Sequence, residues 1–208
     1  MARSIPAYHE CHDLILDLAE ELVPAGGRCY DLGCSTGALT ARLAERLAPR
    51  GVEIVAVDRE PGMIEMAAER LARHPSVRFV TSPLESLTLE PADLAVCFYT
   101  LQFTTPRQRP SILSSLHQAL APHGALILFE KVLASTARGQ RVTEGVYFEH
   151  KRRQGFSNDE IVEKGRSLRG ILQPLPAEQN RTLLQVAGFT EVLHVFRWMC
   201  FDGVVAYA

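Results

Sequence analysis

The stretch Tyr30-Asp31-Leu32-Gly33-Cys34-Ser35-Thr36-Gly37 decides how this chain is read. Before the glycines, Arg28 to Leu32 has the form of a short buried strand. Beyond them, Leu39, Leu43 and Leu47 recur on one face of a helix. Glycines in such a strand-loop-helix unit let backbone approach a ligand where a Cβ would collide. The spacing is D-x-G-x-x-x-G. A dinucleotide loop wants G-x-G-x-x-G, but position 35 is Ser and position 38 is Ala. No second glycine is left to admit a pyrophosphate, and the loop suits a smaller ligand whose amino-acid tail crosses it. Asp58 closes the next strand, where an acid accepts hydrogen bonds from both ribose hydroxyls. Glycines alone fit a plain turn; Asp31, Gly33, Gly37 and Asp58 together point to a nucleoside cofactor.

Outward from the loop, helical and strand periods alternate, the signature of a parallel sheet covered on both faces. Leu14, Leu18 and Leu22 predict an amphipathic helix over residues 10 to 22. Strands follow at Glu53 to Asp58, Val77 to Val80, Leu94 to Phe98 and Ala125 to Phe129. Pro61 suits a helix's first turn, with Ile64, Ala68 and Leu71 behind it. Leu113, Leu116 and Leu120 mark the helix before the fifth strand. Residues 134 to 156 are polar and weakly patterned and read as an excursion over the sheet's carboxyl edge. Ser157-Asn-Asp-Glu160 has the form of a capping box. A helix from Ala177 to Val186 ends at Gly188, and strands Val192 to Arg197 and Val204 to Tyr207 flank a turn-like Phe201-Asp202-Gly203. The expected fold is α/β: a Rossmann-like, seven-stranded, mostly parallel sheet with helices on both faces and a C-terminal antiparallel hairpin. One domain covers residues 1 to 208, with 134 to 175 as a substrate-covering insertion.

The 208 residues are 47% hydrophobic and 22% charged, with a net charge of −2. That composition buries a large core and argues against a general phosphate-backbone binder, so no nucleic-acid partner is expected. No run approaches the ~18 apolar residues of a membrane span, and the start of the chain lacks a secretion signal's apolar run. A cytoplasmic protein without a membrane partner is expected; a homodimer stays open. Cys11, Cys29, Cys34, Cys97 and Cys200 form no C-x-x-C pair, so neither a disulfide framework nor a metal site is expected.

The sequence resembles class I S-adenosylmethionine-dependent methyltransferases, and within them the carboxy-S-adenosylmethionine synthase group. The resemblance is carried by Ser4-Ile-Pro-Ala-Tyr8, Tyr30 to Ser35, Ala56-Val-Asp58, Thr100-Leu-Gln-Phe103, Gly124-Ala-Leu-Ile-Leu, Glu130-Lys131 and Ala187-Gly-Phe189. It implies S-adenosylmethionine as cofactor, held by Tyr8, Gly33, Cys34, Ser35, Asp58 and Arg59; Asp31, Gly37, Met63 and Phe98 complete the expected cofactor set. Pro83 and Leu84 would lie beside the adenine. Two positions depart from the group: Phe98 stands where it has Asn, and Gly165 where it has the Arg that grips the carboxylate added to the cofactor. Arg166 lies one residue on, a rotation of roughly 100° about a helix, and Arg169 one turn on.

The cofactor's sulfonium is permanently positive and favours aromatic faces; Tyr8, Phe98, Tyr99 and Tyr147 are the candidates. Core packing at a strand end is the competing account of Phe98 and Tyr99. A base is needed only where the nucleophile must lose a proton. His150 and Glu149 are the nominees, though each also reads as solvated surface. Tyr8, Tyr99, Tyr147 and His150 make up the expected catalytic set. Gln102, Lys151, Arg152, Arg166 and Arg169 are expected on the substrate side, although a solvated helix face accounts for most of Lys151-Arg152-Arg153. The expected reaction is methyl transfer to a small-molecule acceptor. The resemblance implies instead carboxyl transfer from prephenate to the cofactor. A third reading is cyclisation of the cofactor's own aminobutyrate arm with release of methylthioadenosine.

Overall fold

A computed structural model describes residues 3 to 208. Its seven strands are β1 Arg28–Leu32, β2 Glu53–Asp58, β3 Val77–Thr81, β4 Ala92–Phe98, β5 Leu120–Lys131, β6 Glu191–Trp198 and β7 Phe201–Tyr207. They form one sheet in the order β3-β2-β1-β4-β5-β7-β6. β1 to β5 pair in parallel, and β7 runs antiparallel to both β5 and β6. The chain reverses direction of travel across the sheet between β1 and β4, the switch point where α/β sheets open a crevice for ligands.

Alternation along the strands sends side chains to two cores. Leu94, Val96 and Phe98 join a cluster with α1 (Tyr8–Leu22) and α2 (Ala38–Leu47). Ala95 and Cys97 join one with α4 (Arg109–Ala119) and α7 (Ala177–Ala187). α3 (Pro61–Arg70) follows β2, and Ala67 is its buried contact. The sheet and its closing antiparallel pair are as expected from the sequence. Among the described residues, no helix is long and apolar enough to cross a membrane.

Four local expectations need correction. The polar excursion is largely one helix, α5 (Ala137–Arg153), opened by Thr136, whose hydroxyl accepts from the Gly139 amide at 3.0 Å. Its last turn carries Lys151, Arg152 and Arg153, cations that complement the negative end of a helix dipole. On α1 the buried face is Cys11, His12, Ile15, Leu16 and Ala19, while Leu14, Leu18 and Leu22 are half-buried at its flank. Leu120 leaves the helix and begins β5. Phe201-Asp202-Gly203 is not the hairpin turn. The reversal falls at Met199 and Cys200, with Met199 at φ 45°, and Asp202 is held in β7 by Arg197 at 2.8 Å. The capping box is present: Glu160 receives the Ser157 amide at 2.7 Å and opens α6 (Asn158–Ser167).

The start of the described chain is fastened to the far end of this helical pair. Arg3 donates through Nη2 to the Gln154 carbonyl at 2.6 Å, and its guanidinium lies 4.6 Å over the Phe156 ring. Tyr147 donates to the Ser4 carbonyl at 3.0 Å.

Gly203 pairs with Phe129 on one side and Phe196 on the other, and those two rings sit 5.8 Å apart above it. A Cβ at this position would stand 2.7 Å from the Phe129 ring. Gly203→Ala is therefore expected to cost about 1–3 kcal/mol of overpacking, read as a lower urea midpoint at unchanged slope. Phe129→Leu in the same chain should return part of that loss, and simple additivity of the two would refute the contact.

Candidate active site

The loop after β1 is tied to the end of β2. Gly33 and Cys34 amides donate to the Val57 carbonyl at 2.7 and 2.9 Å, and the Ser35 amide donates to Asp58 Oδ2 at 2.9 Å. Asp58 Oδ1 accepts the Glu60 amide at 3.0 Å. Gly33, Ser35 and Gly37 have φ of 81°, 52° and 74°. A Cβ on Gly33 would stand 2.3 Å from Thr100, so only glycine passes there. Three amides that could cradle a pyrophosphate are thus engaged within the protein. What remains open beside them is a carboxylate at the rim and two clefts.

The first cleft, about 230 Å³, is lined by Asp58, Arg59, Pro83, Leu84, Tyr99 and Phe103 among others. The second, about 360 Å³, is lined by Tyr8, His12, Asp31, Cys34, Met63 and Arg70 among others. Both include Gly33, Ser35 and Phe98, which makes them one trough across the glycine loop. Asp31 is buried, with Oδ2 accepting from Thr40 at 2.6 Å, and burial pushes its carboxyl up to about 6. A third space of about 520 Å³ meets the first cleft at Tyr99 and Phe103.

That third space is cationic. Lys131, Lys151, Lys164 and Arg169 line it against one carboxylate, Glu144. The ammoniums of Lys131 and Lys151 sit 4.9 and 4.4 Å from the Tyr147 ring. Burial, and then Lys131, lowers the Lys151 ammonium from its ordinary range. Neither lysine meets a carboxylate among the described residues, whereas Arg28, Arg42, Arg46, Arg78 and Arg152 do.

Its floor is fixed by a buried polar network. Glu130 accepts from the Gln102 amide at 3.2 Å, and Gln102 accepts the Lys131 amide at 2.7 Å and, through its carbonyl, the Gln173 amide at 2.9 Å. Fully buried Arg109 donates to the Thr104 carbonyl at 3.2 Å and to the Gln173 carbonyl. Burial pushes Glu130 up to about 8, with Arg109 pulling the other way.

The structure brings most of the predicted residues to these spaces. Tyr8, Asp31, Gly33, Cys34, Ser35, Met63 and Phe98 line the trough with Asp58, Arg59, Pro83 and Leu84. Tyr99, Gln102, Tyr147, Lys151 and Arg169 line the cationic space. Gly37 does not face the trough; it turns the chain into α2 and leaves room for Leu71 and Ala67. His150 packs 5.1 Å from Trp198, Arg152 pairs with Glu149 at 3.2 Å, and Arg166 is exposed on α6, so these three stand outside all three spaces. Gly165 does line the cationic space, and Arg169 rather than Arg166 joins it there. Sequence reasoning missed His12, Arg70 and Phe103. His12 had a signal, since it lies four residues after Tyr8 on one helical face.

A methyltransferase-domain family matches residues 30–124. The chain is similar to the carboxy-S-adenosyl-L-methionine synthase of Methylococcus capsulatus, 34% identical over 99% of this chain and 87% of that protein. A second synthase so named, from a Geobacter species, is 35% identical over 99% of this chain and 86% of that protein. The chain belongs to this family of S-adenosylmethionine-dependent enzymes. Among solved structures, the methyltransferase SibL superposes with a TM-score of 0.66 at 18% identity, over 94% of this chain and 54% of that one. The chain spans about half the length of that structure, and the likeness shows the fold. S-adenosylmethionine is the family's cofactor, and the trough fits it. The engaged loop amides leave no cradle for a pyrophosphate, Asp58 offers a carboxylate at the rim, and the rings of Tyr8 and Phe98 line the trough.

Asp58→Ala should weaken S-adenosylmethionine binding by ~1.5–3 kcal/mol, the worth of a charged hydrogen bond, and unchanged affinity by calorimetry would refute the placement. Glu130 gives a second test. Its raised folded-state pKa means the native state holds the proton more tightly than the unfolded chain, so its contribution to stability falls as pH rises from about 4.5 to about 8. Glu130→Gln should therefore gain stability relative to the parent across that window, by up to ~1.4 kcal/mol per pH unit. Urea midpoints at several pH values that differ by a constant would refute it.

Proposed function

We propose that this protein transfers a methyl group from S-adenosylmethionine to a small acceptor carrying a carboxylate or phosphate. The observation that supports this most is the space beyond Tyr99, where Lys131 and Lys151 share one aromatic ring with no carboxylate between them. Two ammoniums converging in a partly buried site repel each other, and an anion is what relieves the repulsion.

The cofactor supplies an electrophilic methyl on a permanent cation. Around it, Tyr8 and Phe98, with rings 5.6 Å apart, offer faces worth ~0.5–2 kcal/mol each to a cation. Asp58 and the glycine loop hold the nucleoside, and the lysines hold the acceptor's anionic end. Little else is required, because methyl transfer gains most from holding nucleophile and methyl in line. Residues 134 to 175, which carry α5 and α6, act as the cover of the acceptor space.

A second reading is carboxy-S-adenosyl-L-methionine synthesis, supported by the names of the relatives at 34% and 35% identity. Gly165 opposes it by facing the space where the group has its carboxylate-gripping Arg, and Arg169 is the residue here that could stand in. Cyclisation of the aminobutyrate arm wants a site with no room for an acceptor, which a space of about 520 Å³ opposes.

Mass spectrometry of the purified protein incubated with S-adenosylmethionine separates the readings. S-adenosylhomocysteine that forms only with an added acceptor supports methyl transfer. Carboxylated cofactor on the protein, or methylthioadenosine without an acceptor, refutes it. Lys151→Met should raise the KM for an anionic acceptor about tenfold or more, the worth of a charged hydrogen bond, with cofactor affinity unchanged. An unchanged KM would remove the lysines from the acceptor site.

A further inference from the structure

His12 is the residue of the trough that neither the glycine loop nor the acceptor space accounts for. It lies one turn beyond Tyr8 on α1, wedged between the rings of Tyr8 at 4.3 Å and Phe98 at 4.9 Å. It is 2% exposed, and its Nε2 is buried with no hydrogen-bond partner among the described residues. Burial, together with Arg42 and His9 and against Asp13, pulls it down to about 4, so the imidazole is neutral at physiological pH. A neutral imidazole carries one ring nitrogen that accepts and one that donates. Leaving it unmatched in a buried site is costly unless a ligand supplies the partner.

The trough says which ligand group that would be. Its nucleoside end is the cleft of Asp58, Pro83 and Leu84. Past Gly33 and Ser35 it becomes the second cleft, where His12 stands with Tyr8, Asp31, Met63 and Arg70. What is left of S-adenosylmethionine beyond its nucleoside is the aminobutyrate arm, with one ammonium and one carboxylate. Arg70 is the cation of this cleft and suits the carboxylate. Asp31 is its carboxylate, and one of its oxygens is already engaged by Thr40. A neutral acceptor in the same cleft as that acid suits the ammonium.

We propose that His12 accepts a hydrogen bond from the α-ammonium of the bound cofactor, and so makes the trough select ligands that carry the amino-acid arm. His12 is on this account a binding residue of the cofactor site.

The proposal rests on the cofactor assignment and is tested by calorimetry with S-adenosylhomocysteine and with methylthioadenosine, which lacks the arm. Parent protein, His12→Phe and His12→Gln are compared. His12→Phe should lose about tenfold or more in affinity for S-adenosylhomocysteine and keep its affinity for methylthioadenosine. His12→Gln, which restores an acceptor, should recover part of the loss and covers the case in which the Phe variant does not fold. Unchanged affinity of His12→Phe for S-adenosylhomocysteine, or an equal loss for both ligands, would overturn the proposal, the second outcome showing packing alone. Parent protein that binds neither ligand would overturn the cofactor assignment, and the proposal with it.

Discussion

The joint between the β1 loop and the end of β2 is the constraint on which the rest of the site depends. Once Val57 and Asp58 take the amides of Gly33, Cys34 and Ser35, the loop is drawn across the sheet edge. Its left-handed turns at Gly33 and Ser35 follow from that pull. Thr100, at the end of β4, then sits so close that position 33 has no room for a Cβ. Three strand ends are thereby held at one spacing, and the trough is the gap they leave. The same joint makes Asp58 a strut at the rim of the trough, so its removal acts on loop shape.

A row of rings stands between the trough and the cationic space. From Tyr8 it passes to Phe98, Tyr99, Phe201 and Tyr147 with centroid separations of 4.6 to 5.6 Å. On the trough side stand the carboxylates of Asp31 and Asp58 beside Arg59 and Arg70, and the histidine there is neutral. Beyond the rings stand Lys131, Lys151 and Arg169. A cationic ligand and a cationic wall would repel each other through a low-dielectric interior. The rings keep them apart, and an anionic acceptor between them would be attracted to both.

The sheet was legible because strands buried on both faces leave continuous apolar runs, and because Gly33, Gly37 and Asp58 punctuate them. α5 was not, since its side chains are mostly exposed. Only Thr143 is buried along its length, so the apolar stripe that betrays a helix is missing. α1 hid its true face for the opposite reason. It is covered on more than one side, and the leucines at its flank outshone the smaller Cys11 and Ala19 that touch the core most fully. The hairpin was misplaced because Asp-Gly looks like a turn, whereas this Asp is fixed by Arg197 and this Gly makes way for Phe129. Within the site, strand-end positions were readable from spacing. Lys131 and His12 become meaningful only when the sheet edge and the helix face set them beside their neighbours.

The short segment from Arg3 to Ala7 links a wall of the trough to a wall of the cationic space. It leads directly into α1, which carries Tyr8 and His12, and it is fastened to α5 and its end through Tyr147 and Gln154. One run of five residues therefore joins a wall of the trough to a wall of the cationic space, so the two borders are linked along the chain as well as through the sheet.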